Sequence, residues 1–229
     1  MEMLKDILFL DIETVPLIYH YNDLDQNSKQ LWEAKWKFAK DDTPESLYSK
    51  AGIYEEFAKI ICIGLGYFHQ GQFRVTCLAN DNEKELLYEF RQLLEKHFNK
   101  PYHKLCAHNG KEFDFPFLCR RFIINELSLP DILKIQGLKP WEIRHLDTME
   151  MWKFGDYKNY TSLNLLAHVF KIPSPKDDID GSQVSKVYYE NKDLEKIKNY
   201  CVKDVVTLAR VYAKFNNAGN IEEESIIRN

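Results

Sequence analysis

The chain has 229 residues, a length that suits one domain and can bury a full core without disulfide or metal staples. Hydrophobic residues make up 45% and charged residues 29%, which excludes wholesale disorder, and no run approaches the ~18 apolar residues of a spanning helix. A formal net charge of -4 excludes a protein that coats duplex nucleic acid through bulk positive charge, although not one that holds a few nucleotides through bound cations.

Five cysteines, odd in number and without a C-x-x-C pair, argue against a disulfide framework or a zinc knuckle. The start Met1-Glu2-Met3-Leu4-Lys5-Asp6 lacks the features of a secretory signal, so the expected location is the reducing cytoplasm. Aromatics reach 14%. Stacking platforms for bases would use some of them, but a composition rich in Lys, Asn, Ile, Tyr and Phe accounts for most.

In chain order, Ile7-Leu8-Phe9-Leu10 is a short apolar run that predicts a strand buried on both faces. Residues 21–52 are polar and read as an insertion, with a short helix inside Gln30 to Lys40. Phe57 to Phe68 and Phe73 to Ala79 predict strands joined as a hairpin at Gln70-Gly71-Gln72. Asn82 to Phe98 carries apolar residues at a helical period. Leu105-Cys106-Ala107 predicts a short strand, Phe115 to Leu127 a helix with Pro116 in its first turn, and Glu142 to Met149 a further strand. Ser162 to Phe170 predicts a helix ended by Pro173 and Pro175. Asp193 caps a last long helix running to about Asn217, and 218–229 reads as a loose tail. Strands alternating with helices after an opening meander predict an α/β domain over 1–217, with a mixed sheet and helices on both faces.

Asp11-Ile12-Glu13 directly follows the first apolar run. In a strand these two carboxylates share a face while Ile12 points the other way. Like charges at the end of a buried strand repel and lose hydration, so a divalent cation is the obvious counter-charge, and all-oxygen ligands suit Mg²⁺ or Mn²⁺. The D-x-E spacing recurs at Asp81-Asn82-Glu83 and Asp193-Leu194-Glu195, where helix capping is the better reading. Asp114 opens a helix after a turn containing Gly110; from position alone, an N-cap is the favoured reading. Asn109, at the strand exit, is either a turn residue or a donor to a phosphate oxygen. On the last helix, Tyr200 and Asp204 are four apart and share a face on the shoulder of the stripe Leu194, Ile197, Cys201, Val205, Leu208, Tyr212 and Phe215. A mid-helix Asp there needs a partner, and Lys198 or Lys203 is the structural alternative.

Taken in order, D-x-E on the first strand, N-x₄-D after a later strand and Y-x₃-D on the last helix resemble the DEDD superfamily of 3′–5′ exonucleases, in its DEDDy branch. The matching strings are Phe9-Leu-Asp11-Ile-Glu13-Thr14, Ala107-His-Asn109-Gly-Lys-Glu-Phe-Asp114 and Tyr200-Cys-Val-Lys-Asp204. His145-Leu-Asp147-Thr-Met is similar to the strand this superfamily places between its second and third motifs, and Ile172 to Gly181 adds to the likeness. Within the superfamily the chain resembles stand-alone bacterial relatives of the proofreading domain of family B DNA polymerases, over roughly Leu4 to Tyr212.

The resemblance implies a ribonuclease-H-like fold with a five-stranded mixed sheet. It also implies two-metal hydrolysis of phosphodiester bonds, with Asp11 bridging two divalent cations, Glu13 and Asp204 completing one site and Asp114 holding the second through water. Tyr200 would orient the attacking water. Thr14 would touch the terminal sugar, Asn109 the phosphate, and Lys176 would lie near the substrate. The expected substrate is the 3′ end of single-stranded nucleic acid, DNA ahead of RNA, with an exoribonuclease and a catalytically degenerate binding module as the competing readings. No P-loop, H-E-x-x-H or G-x-S-x-G occurs, Gly64-Leu-Gly66 is too short for a dinucleotide site, and His108 and His145 read as structural imidazoles.

Overall fold

The computed structural model describes residues 4–156, 160–173 and 179–228. Its centre is a six-stranded mixed sheet in the order β5-β4-β1-β2-β3-β6. Strand β1 (Ile7–Pro16) continues straight through the acidic pair, so the carboxylates sit within the strand and not after it. It pairs antiparallel with β2 (Ala58–His69) and parallel with β4 (Lys104–Ala107). Strand β3 (Gln72–Ala79) returns from β2 through Gln70 and Gly71, both at positive φ, as a two-residue hairpin requires. Strand β5 (Leu146–Asp147) has two residues only, shorter than the run from Glu142 predicted, because Pro140–Glu142 forms a 3₁₀ turn.

The sixth strand corrects the reading of 218–229 as a loose tail and the expectation of five strands. Residues Ile226–Arg228 form β6, which pairs parallel with Phe73 to Val75. Ile221 and Ile226 are buried against Phe73 and helix α8. Burial of these two apolar side chains holds a segment whose local composition is otherwise polar.

Helices cover both faces. On one, Leu8, Leu10 and Ile12 pack against α3 (Glu83–His97) and α4 (Asp114–Ile124). Asn82 caps α3, while Glu83, from the second D-x-E string, turns inward to accept from Arg121 of α4 and from the Ile60 amide of β2. That ion pair ties three elements together. On the opposite face, Ile7 and Phe9 pack against α8 (Leu194–Phe215), which Asp193 caps through the Lys196 amide. Between these lie α5 (Thr148–Lys153) and α6 (Leu163–Val169, capped by Ser162), followed by a short α7 (Val184–Lys186) that runs into a π turn at Val187–Asn191.

Residues 21–52 build their own small core. Asp25 caps α1 (Gln26–Lys35) earlier than the apolar pattern alone predicted. Trp32 is fully buried against Tyr48, Tyr54 and Phe57, and its indole N–H donates to Pro44 O at 2.7 Å. A single capped turn, α2 (Pro44–Leu47), and a 3₁₀ segment, Tyr48–Ile53, return the chain to β1.

Gly64 and Gly66 decide how close α8 comes to the sheet. A Cβ at Gly64 would lie 2.7 Å from Cys201 Sγ and 2.8 Å from a Val205 methyl; one at Gly66 would lie 2.8 Å from Val205. Gly64→Ala therefore overpacks the α8–sheet contact and is expected to cost about 1–3 kcal/mol. At roughly 2–4 °C per kcal/mol for a domain of this size, thermal melts should show the loss directly.

Candidate active site

Strand β4 pairs with β1 only as far as Phe9 and then ends at Ala107, so β1 runs on past its parallel neighbour. This unpaired stretch lies at the carboxyl end of the two parallel strands, the usual ligand position in an open α/β sheet. Asp11 and Glu13 point from β1 to the α8 face, since the alternating residues Leu10 and Ile12 belong to the α3–α4 core. The β1–β2 register shifts between Glu13 and Thr14, leaving Ile61 of β2 as the extra residue of a bulge beside the acidic pair.

Asp114 comes from the other side. It does not cap α4: the N-cap position is Phe113, and the Asp114 carboxylate instead accepts a hydrogen bond from the Ile12 amide of β1. Its burial is nearly complete, at 3% exposure. From α8, Tyr200 hydrogen-bonds the Asp204 carboxylate one turn on. Lys198, one of the two salt-bridge candidates for Asp204, pairs with Glu195 at 2.7 Å.

The charges of these side chains reach Asp11 together. Burial raises Asp11 well above the ordinary carboxylate range, and the charges of Glu13, Asp204 and Asp114 push the same way. Glu13 is raised by burial and then by Asp204 and Asp114, and it is hydrogen-bonded to Asp11. A contact between two carboxyl groups needs a proton or a cation between them. Asp114 is pushed up to about 7, chiefly by burial, with the Ile12 amide pulling in the opposite direction. Tyr200 is raised by burial and by Asp204, Glu13 and Asp11, so its hydroxyl stays protonated and serves as a donor. These oxygen groups fit hard divalent cations. Cys201 Sγ adds a softer neighbour, donating to Asp11 O and Oδ2 at 3.5 Å each.

The weaker candidates divide. Asn109 adopts positive φ and its amide N–H donates to Asp147; its side-chain oxygen is buried without a hydrogen-bond partner. Thr14 stands apart, on the opposite side of the strand from Glu13, and its hydroxyl donates to Gly52 O at 2.6 Å, fastening the 21–52 segment to β1. Lys176 lies outside the described residues. His145 accepts from the Leu105 amide and donates to Ile132 O, and its pKa is pushed down to about 4 by burial; His108 bridges Thr148 and Thr161 O.

Asp147 is the residue whose importance sequence reading missed. Its carboxylate accepts from the amides of Asn109, Lys111, Met149 and Glu150, so it both caps α5 and clasps the loop that leads to Asp114. The string Asp147-Thr-Met-Glu150 carried the signal, as a helix-capping pattern.

Residues 53–229 match a family model described as a predicted 3′–5′ exonuclease related to the exonuclease domain of PolB. No curated protein sequence matches the chain. Among solved structures, the fold is similar to the family B DNA polymerase from the hyperthermophilic archaeon Pyrobaculum calidifontis, with a TM-score of 0.56 at 13% identity over 91% of this chain. The chain spans about a quarter of that polymerase, 24% of its length. That likeness shows an α/β fold shared with part of the polymerase.

The raised carboxylate pKa values set a sign for stability. Without metal, native Asp114 holds its proton more tightly than the unfolded chain does, so its contribution is present below the ordinary Asp range near 4 and is lost as pH rises through about 7. Asp114→Asn, which mimics the protonated form, should melt higher than the parent at pH 8.5 in EDTA, with the gap shrinking at pH 5.5. His108 and His145 act equally on both proteins and cancel in the difference.

Proposed function

The chain belongs to the family of predicted 3′–5′ exonucleases related to the exonuclease domain of PolB, and on that premise we propose that it removes nucleotides stepwise from the 3′ end of single-stranded DNA with two divalent cations, Mg²⁺ or Mn²⁺. Exonuclease domains of this kind use divalent metals. The observation that carries the proposal is the convergence on Asp11 of negative charge from Glu13, Asp114 and Asp204, residues that come from β1, α4 and α8.

When bound, two such ions clamp a scissile phosphate and lower the pKa of the attacking water. Asp11, Glu13 and Asp204 would hold the ions directly and Asp114 through water, with Asp11 serving both, Glu13 and Asp204 one, and Asp114 the other. Tyr200 acts as a donor: with its pKa raised by neighbouring carboxylates it is too weakly acidic to serve as a base at neutral pH, and its contact with Asp204 fixes the hydroxyl for orienting water. Asn109 is assigned to the phosphate through its side-chain NH2, on a loop position fixed by Asp147. The net charge of -4 agrees with binding at strand ends, where few phosphates are neutralised by side chains.

The test is a 5′-end-labelled oligonucleotide incubated with Mg²⁺, with Mn²⁺, or with EDTA, using matched DNA and RNA strands. A ladder shortening from the 3′ end with either metal and not with EDTA is expected, faster on DNA. If neither ion yields a ladder on either strand, the proposal fails; preferential RNA cleavage would transfer it to an exoribonuclease.

Asp11→Ala should reduce the rate on the order of 10³-fold, since the metal clamp supplies several kcal/mol. The same variant should melt no lower than the parent in EDTA, because it removes a like charge. Tyr200→Phe removes one orienting hydrogen bond and should cost about tenfold in kcat.

A further inference from the structure

On the α8 face of the sheet, beside the carboxylates, three cysteines converge. Cys62 of β2 and Cys77 of β3 are joined as a disulfide across adjacent strands, with Cα atoms 6.6 Å apart. Cys201 descends onto the same spot from α8, and the sulfurs of all three lie within 4.8 Å of one another. Cys201 also forms a ligand-distance group with Asp11 and Glu13. Gly64, the cross-strand partner of Asp11, leaves the space that admits its sulfur.

We propose that in the reduced chain Cys62, Cys77 and Cys201 form a site for one thiophilic divalent cation of the zinc class, adjoining the all-oxygen site and chemically distinct from it. Softness supports the assignment: thiolates favour zinc-class ions, whereas carboxylates suit Mg²⁺ and Mn²⁺. Size agrees. Sulfurs each about 2.3 Å from a tetrahedral zinc stand about 3.8 Å apart, which falls within the observed cluster once the Cys62–Cys77 bond is opened. Opening that bond takes two electrons and two protons from a thiol or phosphine reductant and gives two thiols. Cation binding then releases the thiol protons to solvent. Cys77 is only half-buried and gives solvent a path to the cluster, while Cys62 and Cys201 are buried. In the oxidised chain two of the three sulfurs are tied to each other, so binding depends on the redox state.

Binding is measured without reference to nuclease activity, so its failure and that of the exonuclease reading are separable. The probe is Cd²⁺, titrated into phosphine-reduced, metal-free protein and followed by thiolate-to-cadmium charge-transfer absorption. A band saturating at one Cd²⁺ per chain is expected, undiminished by excess Mg²⁺. Cys77→Ala and Cys201→Ala should each weaken binding about tenfold or more, the loss of one thiolate exceeding 1.4 kcal/mol. Cys119→Ala, which alters a cysteine outside the cluster, should leave the band unchanged. Parent protein reoxidised with diamide should show no band, a comparison that needs no substitution in the core. No band in the reduced parent overturns the proposal, as does a band that survives diamide or survives both cluster substitutions.

Discussion

Two carboxylates on one strand, two residues apart, cannot be moved away from each other by any rearrangement short of unmaking the strand. The pleat that sends Leu8, Leu10 and Ile12 into one core sends Asp11 and Glu13 to the opposite face. The rest of the site depends on that constraint. Asp114 and Asp204 bring further negative charge to the same place, and burial removes the water that would screen it. Such an arrangement is tolerable only because the surrounding framework is strong. The α3–α4 core, the buried Glu83–Arg121 pair and the close α8 contact hold the elements against the repulsion.

The topology provides the opening at the same point. Because β4 ends early, β1 has an unshared edge there, and the Ile12 amide on that edge is taken by Asp114. Asp147 fixes the loop between β4 and α4 through backbone amides, independently of which side chains that loop carries. The 21–52 segment meets β1 through Thr14 and Gly52, on the far side of the strand from the acids. Positioning and chemistry are thus divided between the two faces of a single strand.

Much of this was legible in the sequence because it follows local periods. The strand period placed Asp11 with Glu13, and the helix period placed Tyr200 with Asp204 on the shoulder of the α8 stripe. What stayed hidden depends on contacts between distant segments. Asp114 looked like a cap because its position matches one, while its actual partner, Ile12, lies a hundred residues away. Gly64 and Gly66 carried no local message; their purpose appears only when a helix crosses over them. The Cys62–Cys77 contact follows from the register set by the Gln70-Gly71 turn, which a count of cysteines ignores. Ile226 sits in a polar stretch, and its pairing partner is Phe73 at the far side of the chain.

That final strand also bears on how the molecule behaves among its own copies. The β3 border is occupied over Phe73 to Val75 by three residues of β6, and the opposite border is β5, only two residues long. Neither flank presents the extended row of unmatched amides and carbonyls that templates strand addition from a second chain. A mixed sheet with hydrophobic strands would otherwise be exposed to stacking edge to edge. Capping by fragments this short suffices to discourage open-ended assembly, and among the described residues no strand pairs with β1 beyond Phe9 on its β4 side.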